Sequence, residues 1–218
     1  MSRATAPTVG GTGVSPGRRA LDVAVSLTAL VALLPILLVL AVLVRCTSRG
    51  PVLFRQARVG AGGQPFVMLK FRSMSVGTPG GPQVTTQTDR RITALGRVLR
   101  RTSLDELPQL VNVLRGEMTL VGPRPETVDL AARYPDDCRW VLQHAPGVTG
   151  PCQIRLRDRE ALPPDAVDAE DYYLSVLVPR RVAMDTTFLG RPTVTATLAV
   201  LLETFGYLIG RRPAGLDV

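Results

Sequence analysis

From Val23 to Val44 no residue carries a charge. Wound as a helix, a run of that length covers the roughly 30 Å of a bilayer's hydrocarbon core. It is longer than the apolar region of a cleaved signal peptide, and Arg45, Cys46 and Arg49 stand where a small-residue cleavage site would be. Arg18 and Arg19 precede the run, while Arg45, Arg49, Arg55 and Arg58 follow it. Positive residues are retained in the cytoplasm, so both ends ask to stay on one side. Pro35, near the middle, removes a helical hydrogen bond and collides with the carbonyl four residues back. A helix that breaks, enters and leaves by the same face satisfies both observations. An ordinary spanning helix with a tolerated proline satisfies the length alone.

At 218 residues the chain has room for one globular domain besides this segment. A net charge of +8 and a pI near 10.4 call for an anionic partner: a membrane surface, a phosphorylated substrate or nucleic acid. Aromatics make up 5% of the residues, too few for a base-stacking platform, so nucleic acid is set aside. Lys70 is the sole lysine among many arginines, whose forked guanidinium matches phosphate in a bidentate way. Cys46, Cys138 and Cys152 are too scattered for a disulfide framework or a four-cysteine zinc site and read as reduced thiols. His144 is the only histidine and is not assigned a direct role.

Residues 1–17, rich in Gly, Thr, Ala and Pro, read as a disordered tail, and 18–46 as the membrane segment. Residues 47–210 form the catalytic domain, of class α+β, and 211–218 a basic tail. Residues 52–58 and 66–73 read as a hairpin around the turn at 60–65. Residues 75–88, dense in Gly, Pro, Thr and Gln, read as a mobile loop. A short helix is expected over 92–101, then a second with Leu107, Leu110, Val111 and Leu114 on one face, ending at Gly116. The acidic stretch 158–171 reads as an exposed connection. From Leu198 to Ile209 apolar residues recur at helical spacing, either as a helix lying on the membrane or as one packed on the core.

The chemistry concentrates between Arg100 and Glu126, in RRTSLDELPQLVNVLRGEMTLVGPRPE. At its centre stand Asp105 and Glu106. Ser103 and Glu106 have the spacing of a capping box, which would make the acids structural. Pro108 argues otherwise, because it fits the first position of a helix and so leaves the two carboxylates in the turn before it. There they face the positive end of a helix dipole, which favours their anions and suits them to a divalent cation. Lys70, Arg72, Arg91, Arg100, Arg101 and Arg124 surround the pair in sequence. Arg124, between Pro123 and Pro125, has a stiffened backbone. Two carboxylates, a metal and several arginines suit a phosphate site. Attack of a carboxylate on a phosphoryl group meets a repulsion of about 4 kcal/mol per charge pair at roughly 4 Å and an effective dielectric near 20, which metal and arginine must offset.

The motifs GPVLFRQARVG, KFRSM, the block from DRRIT to GPRPE, and PGVTG, in that order, resemble the bacterial sugar transferase family, specifically its small monotopic phosphoglycosyl transferases. The resemblance runs from about Arg19 to Gly206. It implies a re-entrant membrane helix broken at Pro35, followed by a small mixed α+β domain on the cytoplasmic face of the bacterial inner membrane, with amphipathic interfacial helices. It also implies Asp105 as nucleophile, Glu106 as its partner at a Mg2+ held by both, and Arg124 in contact with substrate phosphate; Lys70, Arg72, Arg91 and Arg101 are expected at the same phosphate from their place around the pair. The implied reaction moves a sugar 1-phosphate from a nucleotide sugar, with uridine expected, to undecaprenyl phosphate through a phosphosugar on Asp105. Membrane lipids are the surrounding partner, and a homodimer is compatible with the resemblance. The chain departs from the family pattern in having Leu34 before Pro35, Ala145 before Pro146, and Pro151-Cys152 where Leu-Trp is common. Two other readings of the residues are a direct glycosyltransferase using the same lipid, and a basic membrane-anchored scaffold; the joint presence of Asp105, Glu106, Arg124 and Lys70 argues against the scaffold, since lipid binding needs only charge.

Overall fold

Pro16 opens the first helix, where a missing N–H costs nothing. Helix α1 (Pro16–Ala32) therefore begins inside the stretch expected to be tail. In this computed structural model residues 13–75, 91–156 and 169–211 are described. The rest of both tails, and most of the expected loop at 75–88 and acidic connection at 158–171, lie outside the described residues. After Leu33, α2 (Leu34–Thr47) sets off at 65° to α1. The break is local to Pro35: Leu33 N still donates to Ala29 O and Leu37 N to Leu33 O, both at 2.9 Å. Among the described residues no single helix is long and apolar enough to cross a membrane, whereas the bent pair meets that test of length and composition as a unit.

Both ends of the pair grip the same domain. Near the start of α1, Asp22 is fully buried and accepts from Thr119 Oγ1 at 2.7 Å and from Leu120 N at 3.1 Å. Arg18 donates to Val121 O at 2.6 Å and to Thr197 Oγ1 at 3.0 Å, and Arg19 caps the carbonyls of Val113 and Leu114. The two arginines expected as a positively charged flank are thus structural clamps as well. At the far end of α2, Leu40 and Val44 pack with Phe71 and Leu99. Between these anchors Leu27, Val31, Leu34, Leu38, Val39 and Val42 stay exposed.

Strands β1 (Leu53–Val59) and β2 (Pro65–Phe71) pair antiparallel from Leu53↔Phe71 to Val59↔Pro65, as the hairpin pattern predicts. Helix α3 (Ala94–Thr102), capped by Thr93, and α4 (Gln109–Arg115) follow. Then comes a second, parallel pair that the sequence pattern did not reveal, β3 (Thr119–Val121) with β4 (Gly147–Thr149). Three-residue strands carry too little alternation to read as strands. Their closeness needs glycine: a Cβ on Gly147 would lie 2.1 Å from Gly122 N. The two motifs GPRP and PGVTG are thereby pressed together. Short helices α5 (Val128–Ala132), α6 (Pro151–Leu156) and α7 (Ala169–Tyr172) lead through one π-turn, Tyr173–Leu177, into α8 (Val178–Gly190). Val113, Val121 and Val178 sit at the centre of the core. Helix α9 (Val194–Leu208) packs one face on the core, as one of the alternatives for this segment expects: Thr197 and Val200 are buried in the fold, while Leu198, Leu202, Phe205 and Leu208 are exposed.

Candidate active site

The acidic pair sits where the chain turns between two helices. Ser103, with φ +59°, ends α3, and Leu104–Glu106 form a single 3-10 turn that runs into α4 behind Pro108. The side chain of Ser103 makes no cap bond to this turn, so the capping-box reading does not hold. Asp105 is 6% exposed on the wall of a cavity of about 990 Å³. Glu106 Oε1 instead accepts from Lys70 Nζ, on β2, at 2.7 Å.

The register that sets Lys70 against Glu106 depends on Asn112, a residue the sequence did not single out. Fully buried in α4, its side-chain amide behaves as a strand neighbour to β2: Oδ1 accepts from Leu69 N at 3.0 Å, and Nδ2 donates to Val67 O at 2.8 Å and to Glu117 Oε2 at 2.6 Å. An internal asparagine has no sequence signal apart from its place on the buried face of a helix.

The five cations expected to meet phosphate have different placements. Lys70, Arg91 and Arg124 line the cavity. Arg101 is exposed and is not among the lining residues; Arg100, one position earlier on α3, is. A helix turns about 100° per residue, so adjacent arginines face different ways, and spacing alone did not choose between them. Arg72 touches the cavity, but its guanidinium serves the main chain at the end of α2, donating to Ser48 O at 2.7 Å, Ser48 Oγ at 2.9 Å, Val44 O at 3.3 Å and Pro51 O. It satisfies carbonyls that a helix C-terminus leaves without partners. Arg124 is the contrasting case. It makes no hydrogen bond or ion pair among the described residues, and it is solvent-accessible although protein encloses it, because the solvent it meets is that of the cavity. Burial and the charge of Arg181 act to lower its pKa, but Tyr173, Glu126 and Glu106 outweigh them and the net shift is upward.

Beside it lies a cluster that no sequence motif points to. Glu126, 3% exposed, accepts from Arg181 at 3.2 Å and from the Tyr173 hydroxyl, and Arg181 also donates to that hydroxyl while stacking 4.7 Å from its ring centroid. Tyr173 begins the π-turn, a distortion frequent at functional sites. The cluster depends on contacts across the chain, between residues 126 and 173–181. Three guanidiniums, those of Arg58, Arg124 and Arg181, thus share this wall with the carboxylate of Glu126. His144 packs edge-on against Trp140 and does not line the cavity.

Among the described residues no three His, Cys, Asp or Glu side chains come together as a metal cage. Asp105 and Glu106 alone suit Mg2+, which is usually held by one or two carboxylates and completed by water and substrate phosphate. The cavity therefore brings together a buried carboxylate, a paired carboxylate and an arginine whose donors are unused among the described residues, an arrangement suited to phosphoryl chemistry.

Comparison with known proteins agrees with this geometry. The model of the family described as "Bacterial sugar transferase" matches residues 14–211. The chain is 48% identical over 145 residues to a UDP-glucose:undecaprenyl-phosphate glucose-1-phosphate transferase of Caulobacter vibrioides, covering 63% of this chain and 53% of that protein. It is 46% identical over 141 residues to a protein of the same name from Klebsiella pneumoniae, covering 63% and 30%. It thus spans about a third to a half of the length of these relatives. To the exopolysaccharide production protein PSS of Rhizobium leguminosarum bv. phaseoli it is 40% identical over 184 residues, covering 78% and 92%. With a match running from before α1 to beyond α9, and with the acidic pair and Arg124 on one cavity, the chain belongs to the bacterial sugar transferase family.

Proposed function

We propose that this chain transfers a sugar 1-phosphate from a nucleoside diphosphate sugar to undecaprenyl phosphate, the first step in assembling an exopolysaccharide or related glycan. The observation that carries the reading is the shared cavity: Asp105 on its wall, Glu106 fixed by Lys70, and Arg124 with its donors unused among the described residues. The names of the relatives support undecaprenyl phosphate as acceptor and a uridine nucleotide as donor carrier.

In the first half-reaction a carboxylate oxygen of Asp105 attacks the phosphorus bearing the sugar. The bond from that phosphorus to the bridging oxygen breaks, and the nucleoside monophosphate leaves with the electron pair. In the second, an oxygen of the polyprenyl phosphate attacks the same phosphorus and returns the Asp105 carboxylate, giving a polyprenyl diphosphate sugar. Splitting the transfer in this way replaces one difficult step by two easier ones. Lys70 holds Glu106, and Arg124 steadies charge on the non-bridging oxygens. Mg2+, held by Asp105 and Glu106, would supply further neutralisation of phosphoryl charge.

We also place the bent helix pair in the cytoplasmic leaflet as a re-entrant element. Its two ends are bound to one domain, and its exposed apolar residues cluster near the bend. The exposed face of α9 adds a second apolar surface.

Purified protein with Mg2+, undecaprenyl phosphate and a panel of nucleotide sugars tests the reaction. The expected nucleotide product is the monophosphate; a diphosphate product would reveal direct glycosyl transfer and overturn the assignment. Asp105→Asn, nearly isosteric, is expected to lower turnover on the order of 10⁴-fold while leaving thermal unfolding unchanged. Wild-type turnover in that variant would exclude the covalent route.

A further inference from the structure

The segment GPRPE is fixed along its main chain on both sides of Arg124. Before it, Gly122 N donates to Thr149 O at 3.0 Å and Pro123 O accepts from Gly147 N at 2.8 Å. After it, Pro125 O accepts from Arg58 Nη1 at 3.1 Å and Glu126 O from Val59 N at 2.9 Å. These bonds tie the segment to β4 and β1. The Glu126 carboxylate adds a third attachment, to the C-terminal helices, through Arg181 at 3.2 Å and the Tyr173 hydroxyl. Arg124 itself lines one small recess together with Lys70 and Glu106, so it stands beside the acidic pair.

The third attachment is a relay of donors that ends in one acceptor. Arg181 donates to the Tyr173 hydroxyl, and that hydroxyl donates to Glu126. Burial first and the Glu126 charge second push the Tyr173 pKa upward, so the phenol keeps the proton this relay needs. The π-turn makes the pairing possible. On a regular α-helix residues eight apart stand about 80° apart in phase, whereas the one residue absorbed by a π-turn returns them to the phase of a seven-residue spacing, about 20° apart. Tyr173 and Arg181, eight residues apart with the turn between them, accordingly stack on one face.

The carboxylate also has an electrostatic use. Arg124 is repelled by Arg181, and Arg58 by Arg124, while Glu126 attracts both Arg124 and Arg58. Glu126 is 3% exposed and Arg181 7% exposed, so these charges act with little screening by water. Without the anion, three like charges on one wall would drive the Arg124 side chain away from the others. Resting on the transferase reading above, we infer that Glu126, held by Tyr173 and Arg181, is a positioning residue that aims the Arg124 guanidinium at the phosphoryl group beside Asp105. A segment distant in the chain from the acidic pair thereby enters the phosphate site through one carboxylate. Glu126 acts on the substrate only through Arg124, which makes the two residues interdependent.

A double-mutant cycle with Arg124 in the full chain tests this. Tyr173→Phe keeps the ring against Arg181 and every charge, removing only the hydroxyl between Arg181 and Glu126; Glu126→Gln keeps the shape and removes the charge. With the donor that the panel selects, Tyr173→Phe is expected to lower kcat/KM about 5-fold and Glu126→Gln about 30-fold, with KM raised about 3-fold in the latter. In an Arg124→Met background neither should lower it more than about 2-fold further. Equal losses in both backgrounds, or a fall in kcat with KM unmoved, as a smaller folded fraction would give, make the cluster structural and overturn the inference. Binding of inorganic pyrophosphate, read by calorimetry, repeats the cycle without turnover. Charge alone predicts tighter binding for Glu126→Gln, because a negative neighbour is lost, whereas positioning predicts binding about 3-fold weaker and dependent on Arg124. Tighter binding would overturn the inference. Should Glu126→Gln fail to fold, Tyr173→Phe decides the matter by both readouts. Absence of wild-type turnover with every donor would overturn the transferase reading instead, and the pyrophosphate cycle would still decide whether Glu126 acts through Arg124.

Discussion

Ser103 holds φ +59°, a conformation that costs a residue with a side chain about 1 kcal/mol or more, at the turn that presents Asp105 to the cavity. Strain at this place fits a turn shaped for position rather than for stability. The arginines divide in the same way. Arg72 has committed its donors to the end of α2, whereas Arg124 has committed none to the protein among the described residues. Arg72→Met is therefore expected to lower stability by about 1–3 kcal/mol through the carbonyls it abandons. Arg124→Met should leave the unfolding midpoint in place but lower kcat/KM on the order of 10²-fold or more. Urea titration beside donor kinetics separates the two, and a reversed pattern would mean that the roles are exchanged. Sequence marked both residues as basic and near the acids; only their partners distinguish them.

At the scale of elements, α6 and α8 are joined by a buried carboxylate. Asp185, 2% exposed, accepts from Cys152 N at 3.0 Å. Burial pushes its pKa up to about 6 from 3.8; the hydrogen bonds from Cys152 and the charges of Arg181 and Arg155 work the other way. Between those two values the folded state keeps a proton that the unfolded state has lost. The contribution of this group to stability is therefore full below about pH 4, declines as pH rises toward 6 and is flat above. Asp185→Asn keeps the acceptor for Cys152 but cannot titrate. From pH 4 to 7 wild type should lose on the order of 2 kcal/mol relative to the variant, read by urea unfolding in detergent micelles. Parallel stability curves would show that Asp185 does not titrate in this window. Nothing in the sequence pointed to this carboxylate, because its environment comes from helices distant along the chain.

For the whole molecule, the fact with the widest reach is that α1 begins, and α2 ends, on the same fold that carries the cavity. A straight span would carry one of these ends about 30 Å away, across the bilayer. Both ends are therefore expected to react from the cytoplasmic side only. Cys46 is exposed while Cys138 and Cys152 are buried, so native Cys46 reports the end of α2, and Ser15→Cys in a Cys46→Ser background reports the start of α1. In intact cells neither should take up a membrane-impermeant maleimide until the cells are opened. Labelling of position 15 from outside would establish a spanning helix instead.

The uncharged run with its central proline, the hairpin, the two helices flanking Asp105 and Glu106, and the GPRP and PGVTG motifs were legible in the sequence, because each depends on local periodicity, on backbone restrictions or on contiguous residue types. The β3–β4 pairing, the choice of Arg100 over Arg101, the diversion of Arg72 to main-chain carbonyls, the Glu126–Tyr173–Arg181 cluster and the Asn112 brace were decided by tertiary structure alone. Those features turn on which side chain reaches which partner across tens of residues. That is fixed by helix phase, glycine-permitted close approach and burial together, and no local pattern encodes it.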